Sequence, residues 1–144
     1  MLVANDDKRA AISALADALS NSTQVPLDTR HFHADGMYCR QLFRPAGTLI
    51  IGKVHKKEHF FIIASGTLRI TNGDGEAKEI TGPTVLVCQP GTQRATYAIT
   101  DVTGITVHRC EFTDLTDIDD DLVEPDPRSK YLPGNVLRVL ENPL

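Results

Sequence analysis

Gly47-Thr-Leu-Ile-Ile-Gly-Lys-Val-His55-Lys-Lys-Glu-His59-Phe-Phe-Ile-Ile-Ala-Ser-Gly66 is the stretch on which the reading of this chain turns. Thr48-Leu-Ile-Ile and Phe60-Phe-Ile-Ile are rich in β-branched and aromatic residues, which suit a pleated, half-buried surface, so both flanks read as strands. Between them stand two histidines, two lysines and a glutamate. The letters His55-Lys-Lys-Glu58-His59 also spell the inverted zinc-protease motif. That chemistry needs both histidines on one face of a helix, and glycine-bounded strands argue against it.

Outward from this stretch, the pattern from Met37 to Phe112 is one of short strands, near 37–43, 48–55, 59–64, 67–72, 77–81, 84–88, 93–98 and 103–112. Pro45-Ala-Gly47, Ser65-Gly66, Asn72-Gly-Asp-Gly75, Gly82-Pro83, Pro90-Gly91 and Asp101 punctuate them. Asn72-Gly73 predicts a tight hairpin, because both turn positions need positive φ. Evenly spaced short strands without intervening helices predict an all-β sandwich or barrel and disfavour a nucleotide-binding parallel sheet. Before the strands, Ile12, Leu15, Ala16 and Leu19 fall on one face of a helix over 5–20. Residues 22–36 read as an irregular arm. After the strands, Leu115, Ile118, Leu122 and Val123 among seven acids allow a short helix within 113–126, ended by Pro125 and Pro127. The expected organisation is a helix and arm over 1–36, a barrel over 37–112 and an acidic extension over 113–144.

Composition narrows the function classes. The chain has 144 residues, is 41% hydrophobic and 24% charged, and carries a net charge of −4. That is one domain with enough apolar residues for a core. Residues 113–144 hold eight acids and three bases, so the body is close to neutral. Nothing in it resembles the basic cluster a nucleic-acid partner requires. No apolar run approaches the roughly 20 residues of a membrane span. The opening Met1-Leu-Val-Ala-Asn-Asp-Asp lacks a charged-then-apolar leader, so a cytoplasmic protein is expected. Cys39, Cys88 and Cys110 form no Cys-x-x-Cys pair, which argues against a disulfide scaffold or zinc ribbon. Cys88 and Cys110 lie in apolar strands and read as small core residues.

The stretch 47–66 resembles the first signature of the cupin superfamily: Gly, five residues, His, one residue, His, three or four residues, Glu, six residues, Gly. Gly47 and Gly66 are its glycines. Lys53 stands where the first His belongs, His55 takes the second, and His59 stands where the Glu belongs. Gly82 through Pro90-Gly91-Thr-Gln-Arg94 to Ala98 loosely follows the second signature, with Arg94 at its histidine position. The text also looks like short stand-alone cupins of bacteriophage genomes, which would place the protein in a host cytoplasm or a virion.

The resemblance implies a double-sheet jelly roll of the cupin type whose signature turn faces the barrel mouth. His55 then closes one strand and His59 opens the next, with 56–58 as the hairpin, and both imidazoles point inward. His108, alternating with Ile105 and Val107, is the best third ligand. Three nitrogens suit Zn, Fe, Mn, Ni or Cu without choosing among them. Glu58 and Tyr97 are the proton-transfer candidates. Lys53 and Arg94 depart from the ligand pattern and would favour an anionic ligand such as a carboxylate or phosphate. His31 and His33 share a face of any extended segment, though the arm reads as a wet loop. Three functions follow: a metal-binding cupin acting on a small molecule, a non-catalytic module for a small anion, or an interaction protein using the barrel as scaffold. Exposed strand edges make a homodimer or higher homo-oligomer the expected assembly.

Overall fold

The structure is a computed structural model. It describes residues 26–71 and 76–126, positions 10, 12–14, 16, 17 and 24, and the backbone of 131–132 and 136–137. Its strands are β1 (Asp28–Ala34), β2 (Met37–Arg44), β3 (Leu49–Ile51), β4 (His59–Ser65), β5 (Thr67–Thr71), β6 (Ala77–Thr81), β7 (Thr84–Cys88), β8 (Ala95–Ala98) and β9 (Val102–Arg109). One helix, α1 (Leu115–Leu122), follows, and then the paired pieces β10 (Tyr131–Leu132) and β11 (Val136–Leu137). Two antiparallel sheets carry the architecture, a five-stranded one in the order β1-β2-β9-β4-β7 and a four-stranded one in the order β3-β8-β5-β6. No helix among the described residues is long and apolar enough to cross a membrane.

The alternation along each strand decides what faces the interior. On β4, His59, Phe61 and Ile63 are buried while Phe60 is exposed. On β2, Tyr38, Leu42 and Arg44 are buried while Met37 and Phe43 are exposed. Register then sets these side chains in rows: Tyr38 beside His108, Arg40 beside Thr106, and Leu42 beside Gly104. Phe61 continues the Thr106 row towards Leu86, and His59 stands beside Cys88. Phe61, Ile63, Leu68, Ile70, Cys88, Ala98 and Val102 form the core between the sheets. Each large apolar side chain buried there contributes about 1.5–3 kcal/mol. Gly66 turns β4 into β5 with φ of 88°, a left-handed conformation that glycine adopts without a steric penalty.

Several expectations change. The segment 28–34 is not an irregular arm: it is β1, paired with β2 along its whole length. The barrel therefore begins nine residues before the expected boundary at 37. Residues 56–58 are not the turn of a tight hairpin, because β3 and β4 belong to different sheets. The chain crosses between the sheets over 52–58, and His55 makes an isolated bridge to Val123 instead of ending a strand. The helix in the acidic segment does form. Asp114 caps it by accepting from the backbone of Thr116 and Asp117, and Ile118 and Leu122 pack with Tyr38, Cys110 and Val123. Residues 10, 12–14, 16 and 17 of the expected N-terminal helix are helical, with Ile12 and Ala16 buried, and the rest of it lies outside the described residues. The Asn72-Gly73 turn also lies outside them; β5 and β6 do pair as antiparallel neighbours, but Thr71 stands opposite Ala77, a register that leaves five residues between the strands and not the two of a tight turn. The side chains of the 128–144 tail lie outside them as well.

Candidate metal centre

His55, His59 and His108 come from three separate parts of the chain and meet inside the barrel. β9 brings His108, and the start of β4 brings His59. The crossing that carries His55 is held from both sides. His55 donates its backbone N–H to Thr92, Gly91 donates back to His55, and Gly52 donates to Arg94. On the other side, Lys56 donates to Leu122 at the end of α1, and Glu124 donates to Val54. The loop 91–94 and the end of α1 thus fix the first histidine, while sheet register fixes the other two.

The three rings stack at centroid separations of 4.2 Å for His55–His59, 4.4 Å for His59–His108 and 5.1 Å for His55–His108. One nitrogen from each lies within 4.8 Å of the others. His55 Nδ1 and His108 Nε2 are 3.0 Å apart and share a hydrogen bond. His59 Nδ1 donates to the carbonyl of Lys57 at 2.9 Å, which leaves the Nε2 lone pair facing the cluster. Such a backbone contact fixes the tautomer that a ligating histidine needs. His108 Nδ1 is buried without a partner.

All three imidazoles are neutral at neutral pH. Burial is the main cause for each, and the positive charge of Arg94 and Arg40 adds to it. His59 is pushed down to about 4, His108 to about 2, and His55 well below its usual value. Neutral, converging and desolvated imidazoles are the donor set a borderline transition metal takes. The residues present therefore fit such an ion.

Arg94 completes the interior. Its Nη1 donates to His59 Nε2 at 3.1 Å and to Cys88 Sγ at 3.1 Å, and its guanidinium carbon lies 4.4 Å from the centre of the Phe61 ring. The other expected site residues sit elsewhere. Lys53 turns away and pairs with Asp119 at 3.0 Å. Lys57 pairs with Asp121, and Lys56 donates to the Asp120 carbonyl. Three aspartates of α1 thus hold the lysines that flank the histidines. Glu58 is exposed and accepts from Gln89 at 2.8 Å. Tyr97 is 40% exposed on β8, whose inward positions are Thr96 and Ala98. The structure brings neither Glu58 nor Tyr97 to the histidines. His31 and His33 belong to β1, where His31 Nδ1 hydrogen-bonds the Tyr38 hydroxyl at 2.6 Å and His33 stacks on the Tyr38 ring.

Arg44 was not among the expected site residues. It is 7% exposed and lies inside the barrel, with its guanidinium carbon 5.3 Å from the Phe61 ring centre. Its head group lies over Gly104, where a Cβ would come within 2.8 Å of Nη1.

No protein-family model matches the chain, and no curated protein matches its sequence. Solved structures do match. A cupin superfamily protein from Desulfitobacterium hafniense DCB-2 aligns at a TM-score of 0.52 and 13% identity, covering 67% of this chain and 88% of that one. An uncharacterized conserved protein with a double-stranded β-helix domain from Klebsiella pneumoniae aligns at 0.53 and 12% identity, over 68% of this chain and 84% of that one. An RmlC-like cupin family protein from Methanocaldococcus jannaschii aligns at 0.51 and 11% identity, over 62% and 84%. The protein has the cupin fold, a double-stranded β-helix that encloses a cluster of three histidines.

Proposed function

We propose that this protein binds one divalent transition metal through His55, His59 and His108 and takes a small molecule into the barrel beside it. The observation that carries this reading is the convergence of three buried, neutral imidazoles, each offering a nitrogen within 4.8 Å of the others. His55, His59 and His108 would hold the metal, which would supply Lewis-acid polarisation to an oxygen of the small molecule. In this reading Arg94 gives up His59 Nε2 when the ligand set closes, and its Nη1 turns to the incoming molecule. The fold does not choose the reaction, since sites and not folds carry chemistry.

The test is metal stoichiometry. Tag-free protein is stripped with a chelator, titrated separately with zinc, nickel, copper, manganese and ferrous iron, and analysed for bound metal. The expected result is one ion per chain, lost in the double variant His55→Ala, His108→Ala. Absence of stoichiometric binding by every ion overturns the reading, and full retention of metal by the double variant moves the site elsewhere. A second reading, a non-catalytic module for a small anion, is favoured by the burial of Arg94 in the barrel.

A further inference from the structure

A buried charge requires a partner, because an unpaired one costs several kcal/mol in desolvation. The interior of this barrel holds two buried guanidiniums, Arg44 and Arg94, at 7% and 8% exposure. Both lie against the Phe61 ring. Arg44 Nε and Nη1 have no hydrogen-bond partner. Among the described residues Arg94 donates to the neutral acceptors His59 and Cys88. The ion pairs among the described residues lie elsewhere, at Lys53–Asp119, Lys57–Asp121 and Arg69–Glu79. The charges that act on Arg44 are those of Arg94 and Arg40, so among the described residues cations gather around it. Burial and this repulsion lower Arg44 to about 9, and it remains protonated at neutral pH. Two further orphaned polar atoms, Thr96 Oγ1 and Thr106 Oγ1, belong to inward positions of β8 and β9.

We infer that Arg44 and Arg94 form the seat for the carboxylate or phosphate group of the small molecule, with the rest of that molecule facing the three histidines. The inference deepens the small-molecule reading above and names its ligand as an oxyanion. It does not need the metal. The guanidinium forks suit the oxygens of either anion. The hydroxyls of Thr96 and Thr106 supply neutral donors for oxygens further along the ligand. Where the metal is present, three neutral ligands leave its double charge uncompensated, so a dianion gains from both ends of the site. Metal and anion then strengthen each other's binding by the same factor.

Malonate and inorganic phosphate are the probes, with malonamide as the neutral control for malonate. Each is titrated by calorimetry into metal-free protein and into zinc-loaded protein in low-salt buffer. The expected result is that one or both anions bind at one per chain, at least about tenfold tighter than malonamide, and which anion binds tells carboxylate from phosphate. Arg44→Met weakens that binding by about thirtyfold or more, the loss expected when one side of a buried charge pair is truncated. The same variant melts higher than the parent without ligand, because an unpaired buried charge is gone. Arg44→Lys retains the charge but loses the fork, and serves if the methionine variant does not fold. The inference is overturned if neither anion binds better than malonamide, or if both Arg44 variants bind as the parent does. Arg44-dependent anion binding by a protein that takes up no metal upholds the oxyanion seat and sinks the metal reading. Metal uptake with Arg44-independent anion binding does the reverse.

Discussion

Acidification of the metal-free protein is the sharpest perturbation of the histidine cluster. In the unfolded chain each imidazole titrates near 6.5, whereas in the fold His59 titrates at about 4, His108 at about 2, and His55 well below its usual value. Between pH 6.5 and about 4 the unfolded state therefore binds up to three protons that the folded state refuses. Stability rises with pH wherever the unfolded state binds more protons, so it is fully present above pH 6.5 and is lost as the pH falls through this window. Each histidine contributes about 1.4 kcal/mol per pH unit, so His59 and His108 together give a slope of about 3 kcal/mol per unit and His55 steepens it. By pH 5 the loss from His59 and His108 reaches about 4 kcal/mol, and His55 adds to it in the same direction, a large part of the stability of a domain of this size. His31, also lowered by burial, adds in the same direction.

Urea unfolding at pH 7, 6 and 5, followed by circular dichroism, measures this directly. Asp121, held below the usual carboxylate range by its bond to Lys57, contributes stability that disappears only at lower pH. The triple variant His55→Gln, His59→Gln, His108→Gln, if it folds, loses most of the slope and keeps the part that His31 contributes. A parent protein that loses less than about 1 kcal/mol between pH 7 and 5 refutes the claim that three buried imidazoles are held neutral together.

Two further perturbations test the surroundings of the site. Lys53→Ala removes the ion pair with Asp119 at the barrel surface, and a partly exposed pair of this kind is worth about 1 kcal/mol or less. Its thermal melt moves little, and its affinity for malonate or phosphate stays that of the parent; a large loss of anion binding would return Lys53 to the site. Gly66→Ala forces a side chain into a left-handed conformation and drives its Cβ into the Asp101 carbonyl. Urea unfolding should show a loss of about 2 kcal/mol or more, and an unchanged midpoint would contradict the turn geometry.

The sequence announces the strands and the two histidines at 55 and 59 because both signals are local. β-branched runs between glycines name strands whatever their partners, and eight expected strands correspond to β2 through β9. β1 is not legible in the sequence, because Pro26, His31, His33 and Gly36 resemble the contents of a loop. Its strand character comes from pairing with β2, which is a tertiary event. The same holds for the crossing at 52–58. A pair of strands separated by a short polar segment reads as a hairpin, and only the assignment of β3 and β4 to different sheets shows otherwise.

Arg44 shows where alternation fails as a guide. β2 offers two faces, Met37-Cys39-Gln41-Phe43 and Tyr38-Arg40-Leu42-Arg44. Apolarity favours the first as the buried face, and the protein buries much of the second, with Met37 49% and Phe43 37% exposed. An ordinary core would gain stability from the opposite choice. Burying arginines while leaving aromatic and sulfur side chains outside makes physical sense if the inward face is shaped to meet a ligand. The departures of Lys53 and Arg94 from the metal-ligand pattern then separate by geometry. The lysine is neutralised outside by α1, and the arginine stays inside, with no carboxylate partner among the described residues. The place where local rules and the fold disagree most is thus the place where Arg44 stands beside Gly104 and Phe61, and it is there that the oxyanion inference is exposed to test.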